Sequence, residues 1–291
     1  MYKLKIFSNF IEDEACKRVW ERLCETKDMT NYGIDKNIYI TNDDDYTHVL
    51  ILNTAMPNIP EHIPKKNVVG LAFEPWPYLD LTNIFVDYAQ KNIGKYYIGT
   101  KDILPEPFVV SFSFMWYMTP YPTIPEKNKI MSLMISTKFE LHGHRYRHTL
   151  AKQIILNNFP IDIYGTGCEI YSPEYSQLKG KFKEREPYED YMFHIGIENM
   201  QTDHYFSEKI INPLLAGCTP IYLGCLNINN YFPNNVVNLT GDIENDLNIL
   251  VNILKDPLSF KKEIDLQTIK DKIYLLRNLD KIYDVKESET I

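Results

Sequence analysis

Phe193-His194-Ile195-Gly196-Ile197-Glu198-Asn199-Met200-Gln201-Thr202-Asp203-His204-Tyr205-Phe206-Ser207-Glu208-Lys209 is an apolar run that breaks into a dense polar cluster and then starts a helix. His194 to Ile197 reads as a buried strand and Ser207 to Leu215 as a helix, with Ser207 placed to cap its first turn. Open α/β sheets bind ligands beyond the carboxyl ends of their strands, and a helix start offers unpaired N–H groups and a partial positive charge to an anion. Lys209 in the first turn opposes that dipole unless an anion lies nearby. Taken without a ligand, the same residues make a capped surface helix with a solvated Glu208-Lys209 pair, and spacing alone leaves both readings open.

Working outward, the chain alternates strand-like and helix-like segments on both sides of this stretch, which defines an α/β layer structure. Strands are expected at Tyr2 to Phe7, His48 to Leu52 and Val68 to Phe73. A helix is expected at Asp13 to Cys24, where Ala15, Cys16, Val19, Trp20 and Leu23 share a face, and a weaker one at Phe85 to Asn92. Tyr117 to Asn128, with Pro120, Pro122 and Pro125, can continue neither a helix nor a central strand and reads as a linker. The second half gives strand Lys129 to Ser136, helix Arg145 to Asn157, strand Ile161 to Tyr164, a helix or turn at Tyr188 to Phe193, and strand Thr219 to Leu223. From Asp242 onward the tail reads as helical, Leu247, Leu250, Val251 and Leu254 forming one stripe. The expected organisation is an N-terminal Rossmann-like domain over 1–120 and a C-terminal one over 121–291 that carries the helical tail, with a cleft between them.

Composition narrows the partners. The 291 residues carry a formal charge of -8, which argues against a general nucleic-acid binder. No stretch approaches the length of a transmembrane span or the apolar core of a signal peptide, so the expectation is a soluble, cytoplasmic protein. Five cysteines without a C-x-x-C pair suit reduced thiols. Asp43-Asp44-Asp45 reads as a solvated turn more readily than as a metal site, and His142, His144 and His148 lack a completing ligand. No metal site is expected.

The segments Ile195-Gly196-Ile197-Glu198-Asn199, Tyr205-Phe206-Ser207-Glu208-Lys209 and Pro220-Ile221-Tyr222-Leu223-Gly224 resemble the α-1,3/1,4-fucosyltransferase family, in particular its bacterial members. The resemblance departs at Ile197, Phe206 and Ser207, and at Pro213, which should kink the helix. Upstream it extends more weakly to Ile135-Ser136, Arg145-Tyr146-Arg147-His148 and Asp162-Ile163-Tyr164-Gly165, and to Val69-Gly70-Leu71-Ala72-Phe73-Glu74-Pro75.

That resemblance implies a GT-B fold, two Rossmann-like domains facing each other across a cleft, and an inverting glycosyltransferase that moves L-fucose from GDP-fucose to a hydroxyl of a glycan acceptor. It implies Glu74 as general base, with Arg145 and Lys209 neutralising the donor diphosphate. Asn199 and Glu208 would hold nucleotide ribose or fucose hydroxyls, Tyr205 would line the same pocket, and Ser207 would belong to the same donor-binding set. It implies no required cofactor. Two alternatives stay open: a same-fold transferase using another nucleotide sugar, and a catalytically inactive nucleotide- or carbohydrate-binding module.

Overall fold

The computed structural model describes residues 1–22, 38–101, 103–119 and 121–284. It divides into two compact α/β units, Met1–Met115 with Asp271–Ile291, and Trp116–Lys270.

The first unit holds a six-stranded, all-parallel sheet of β1 (Tyr2–Ser8), β2 (Ile38–Ile40), β3 (His48–Leu52), β4 (Val68–Leu71), β5 (Lys95–Ile98) and β6 (Phe108–Val110). Their order is β2-β1-β3-β4-β5-β6. β3 and β4 are apolar throughout because both faces of a central parallel strand are covered. Helix α1 (Asp13–Arg22) buries Cys16 and Trp20, as the shared face required; Leu23 and Cys24 lie outside the described residues. Helix α2 (Asn83–Asn92) starts where the Thr82 hydroxyl accepts a bond from the Phe85 N–H, and it buries Phe85 and Ala89.

The second unit repeats the plan. Its parallel sheet contains β7 (Lys129–Met134), β8 (Ile161–Tyr164), β9 (Leu178–Gly180), β10 (Tyr191–Ile197), β11 (Thr219–Leu223) and β12 (Val237–Asn238), in the order β12-β11-β10-β7-β8-β9. Helix α3 (His142–Leu156) follows β7, and helix α4 (Glu208–Leu215) follows β10. Helix α5 (Ile243–Lys255) packs Leu250 and Ile253 into the core formed by β7, β8, β10 and α3. Tyr188 to Phe193 is not a helix throughout: the strand already begins at Tyr191, whose ring is buried, so the turn is confined to the residues before it.

The expected division placed the entire tail with the C-terminal domain. The structure returns it from Asp271 onward to the first unit. After helices α6 (Pro257–Phe260) and α7 (Leu266–Ile273), helix α8 (Leu279–Ile282) brings Asp280 to the Tyr2 hydroxyl and Tyr283 to the Val49 carbonyl at 2.9 Å. These contacts between residues more than 200 positions apart were invisible to a reading of local periodicity. No helix among the described residues is long and apolar enough to cross a membrane.

One buried carboxylate ties the second unit together. Asp246, fully buried, accepts bonds from the Thr240 N–H and hydroxyl at 2.7 and 2.8 Å and from the Gly241 N–H at 3.0 Å, and it also takes the Tyr146 hydroxyl. It thereby fixes the turn before α5 to α3. Removing it strands several buried donors, so Asp246→Ala should lower unfolding free energy by about 3 kcal/mol, read from urea denaturation midpoints.

Candidate functional site

In the second sheet the chain runs outward in one direction through β7, β8 and β9 and in the other through β10, β11 and β12. The order therefore reverses between β7 and β10, and such a switch point leaves a crevice at the carboxyl ends of the strands where the crossing helices diverge. A cavity of about 350 Å³ lies there. Its walls come from the end of β7 (Met134 to Ser136), the end of β8 (Gly165, Thr166), β10 (His194 to Ile197) and the two helices through Arg147, Glu208 and Lys209, with Phe182 on the β9 side.

Two glycines let both helix starts close onto β10. A Cβ on Gly143 would stand 1.8 Å from the Glu198 carbonyl oxygen, and the Gly143 N–H donates to the Asn199 carbonyl at 3.1 Å. A Cβ on Gly196 would stand 2.4 Å from the Lys209 carbonyl oxygen. That carbonyl is the one Pro213 deprives of a helical N–H, since proline four residues on has none to give. Pro213 thus sits in α4 within a run, Ile210 to Leu215, that is buried throughout, and the freed carbonyl meets a glycine rather than a side chain.

Arg147 is the decisive side chain. It is 8% exposed, its Nε donates to the Gly143 carbonyl at 3.2 Å and Nη2 donates to Asn199 Oδ1 at 2.7 Å. Among the described residues no carboxylate lies within ion-pair distance of it and Nη1 has no hydrogen-bond acceptor. Burial pulls its pKa down, opposed by the charges of Glu198 and Glu208, yet a guanidinium stays protonated under any ordinary condition. A buried, always-charged group in a cavity wall, with carboxylates near it but none in direct contact among the described residues, is suited to receive an anion.

Lys209 supplies a second cation. Its Nζ donates to Ser207 Oγ and to Glu208 Oε1, both at 3.0 Å, and lies 3.6 Å from Glu198 Oε2. Burial alone would lower its pKa, but Glu208 and Glu198 reverse this and the net shift is upward. For Glu208 burial pushes upward while the Lys209 ammonium outweighs it, and the net shift is downward. The pair is ionised at neutral pH.

Glu198, with no exposed side-chain surface, organises this end of the site. It accepts from the Ser207 N–H at 2.8 Å, the Ser207 hydroxyl at 2.7 Å and the Tyr222 hydroxyl at 3.1 Å. Ser207 caps α4 as expected, accepting from the Lys209 N–H at 3.4 Å, and its own hydroxyl proton goes to Glu198.

Arg145 is a correction. It is exposed, and its Nη1 donates to the Phe139 and Glu140 carbonyls at 3.2 and 2.7 Å, away from the cavity wall. The physical reason is register: α3 starts at His142, three residues earlier than expected, and this puts Arg147 on the stripe of Gly143, Leu150, Ala151 and Ile154 that faces the core. An arginine at i+4 from a glycine and i−3 from a leucine was a readable sign of burial. Asn199 is brought to the site, but its side-chain oxygen is occupied in holding Arg147. Tyr205 is buried, 5% exposed. Glu74 belongs to the first unit, partly exposed at the bend that follows the carboxyl end of β4. Of the aspartates at 43 to 45, Asp44 and Asp45 pair with Lys5 and Lys3. His144 and His148 are engaged with Leu141 and Glu140, and with Tyr171 and the Ser136 carbonyl.

Two parallel α/β sheets are the arrangement of the GT-B glycosyltransferase fold, and the solved structures that superpose on this chain have that fold. Residues 124–242 match the profile described as Glycosyltransferase family 10 (fucosyltransferase) C-term, so the resemblance read from the sequence holds over that part of the second unit. Over 96 residues the chain is 30% identical to Alpha-(1,3)-fucosyltransferase B of Drosophila melanogaster; the match takes in 28% of this chain and only 20% of that protein's length. Among solved structures, an alpha1,3-fucosyltransferase with GDP-fucose superposes with a TM-score of 0.53 at 13% identity, covering 100% of this chain and 91% of the other. The DNA-modifying enzyme beta-glucosyltransferase, studied with and without uridine diphosphoglucose, gives a TM-score of 0.50 at 12% identity, covering 97% and 100%.

The network makes a contrast in stability. Glu198→Ala removes the acceptor of three buried donors and should cost about 3 kcal/mol. Glu208→Ala, whose side chain is 41% exposed, should cost less than about 1 kcal/mol. Chemical denaturation of both variants checks this.

Proposed function

We propose that this chain is an inverting glycosyltransferase that binds GDP-fucose at the switch point of the second unit and transfers L-fucose to a hydroxyl of a glycan acceptor. The observation that carries this is Arg147, buried in the cavity wall with no carboxylate partner among the described residues. The match of residues 124–242 to the fucosyltransferase family supports fucose as the sugar.

In this reading the acceptor oxygen attacks the anomeric carbon as the bond from that carbon to the β-phosphate oxygen breaks. The electron pair stays with the departing GDP and the hydroxyl proton passes to Glu74. Arg147, Lys209 and the N–H groups at the start of α4 offset the charge that develops on the diphosphate, which is where preorganised positive groups lower a barrier most. Glu74 as the base is supported by its place beyond a parallel strand end and by its partial exposure. Glu208 is half-exposed beside the cavity and is suited to accept bonds from sugar hydroxyls.

Two protein cations and a helix start supply the charge compensation that a divalent ion provides in other transferases, so we expect turnover to survive chelation. Four buried, free thiols, Cys16, Cys168, Cys218 and Cys225, support a reducing, cytoplasmic location. A second donor is worth testing because the fold is shared with an enzyme studied with uridine diphosphoglucose.

Product mass after incubation with GDP-fucose or uridine diphosphoglucose and a glycan panel, with and without chelator, tests the reading; fucosylated product in both buffers is expected. Arg147→Ala should weaken GDP binding by about 100-fold by calorimetry, while Arg145→Ala should stay within about threefold. Glu74→Gln should lower turnover by about 10³-fold and leave GDP affinity within about threefold. Unchanged turnover in that variant removes Glu74 as the base.

A further inference from the structure

Phe182 is a large aromatic side chain left 37% exposed in a cavity wall, at the end of the site opposite the cations. The cationic end belongs to β10 and the helices beside it, while Phe182 lies two residues past the end of β9. Its ring reaches back to Tyr164 of β8, and the sheet order β10-β7-β8 puts two strand intervals between that strand and β10. At 4.7 to 4.9 Å each these amount to roughly 9.5 Å between the two strands, comparable to the separation of base and diphosphate in a nucleotide.

The ring is held in place. Phe182 meets Tyr164 edge to face, centroids 6.1 Å apart at 81°. Tyr164 is itself buried and its hydroxyl pairs with that of Tyr191 at 2.7 Å, which in turn donates to Asp162 at 2.6 Å. The loop that carries Phe182 is pinned to the sheet by the Gly165 N–H donating to the Gly180 carbonyl at 2.7 Å. One edge contact fixes the ring and leaves surface for another flat group. Thr166, exposed in the same wall, offers a hydroxyl with no hydrogen-bond partner in the protein among the described residues.

We propose that Phe182 is the stacking platform for the nucleobase of the donor, with the diphosphate at the Arg147 and Lys209 end. This rests on the reading of the cavity as a nucleotide-sugar site and adds to it a direction for the ligand and a residue that senses the base. An aromatic face stacks on any base, so Phe182 contributes affinity for a base-bearing ligand and none for a bare diphosphate.

The test is calorimetric binding of GDP and of inorganic pyrophosphate to the full chain and to Phe182→Ala and Phe182→Tyr. Phe182→Ala should weaken GDP by about ten- to a hundredfold and leave pyrophosphate within about twofold, while Phe182→Tyr keeps GDP within about threefold. Unchanged GDP affinity in Phe182→Ala, with the parent chain binding GDP and turning over, overturns the platform and leaves the donor reading standing. An equal loss of GDP and pyrophosphate also overturns it, since the residue would then only support the pocket. If the parent chain binds neither GDP, UDP nor ADP, the donor reading falls and the platform with it.

Discussion

The close approach of two helix starts to the carboxyl end of one strand governs the second unit. Gly143 and Gly196 allow α3 and α4 to touch β10, and Glu198 at the tip of β10 then receives the Ser207 N–H and hydroxyl from one side and Tyr222 from the other. With that point fixed, Asn199 is placed to hold Arg147 and Ser207 to hold Lys209. The two cations reach the crevice from different helices, yet both are positioned by consecutive residues of the same strand end.

This arrangement carries an energetic cost that the charges of Glu198 and Glu208 offset in part and that an anionic ligand would offset further. Desolvating a guanidinium without a counter-ion is unfavourable, and two hydrogen bonds to neutral oxygens recover part of it. A folded chain tolerates such a cost where function keeps it, and the polarity of the missing partner is fixed by the polarity of the cation. Lys209 differs in kind: its charge is already balanced by Glu208 and Glu198, so it holds the helix start together as well as facing the crevice.

Long, periodic segments were legible in the sequence. His48–Leu52, Ile161–Tyr164 and Thr219–Leu223 are strands at the expected residues, because continuous apolar runs of buried parallel strands leave little ambiguity. β2, β9 and β12, of two or three residues each, were not foreseen, since so short a segment has no period to detect. The cluster at Ser207 to Lys209 is recognisable as a helix start with a cation, whereas spacing does not show that Arg147 rather than Arg145 lines the cavity, because the cap position of α3 is Leu141 and no Ser, Thr, Asn or Asp there marks the helix start. Glu198 passed as part of a motif, and its role as the acceptor that joins strand to helix needed Tyr222, 24 positions away, to be seen. Phe182 stood in a charged, aperiodic loop, and only the sheet order brings that loop to the crevice.

A crystal structure of the chain soaked with GDP tests the central claim most directly. The diphosphate should occupy the crevice between the ends of β7 and β10, with a phosphate oxygen within hydrogen-bond distance of Arg147 Nη1. A diphosphate bound elsewhere, with Arg147 still bonded only to Gly143 and Asn199, would contradict the account.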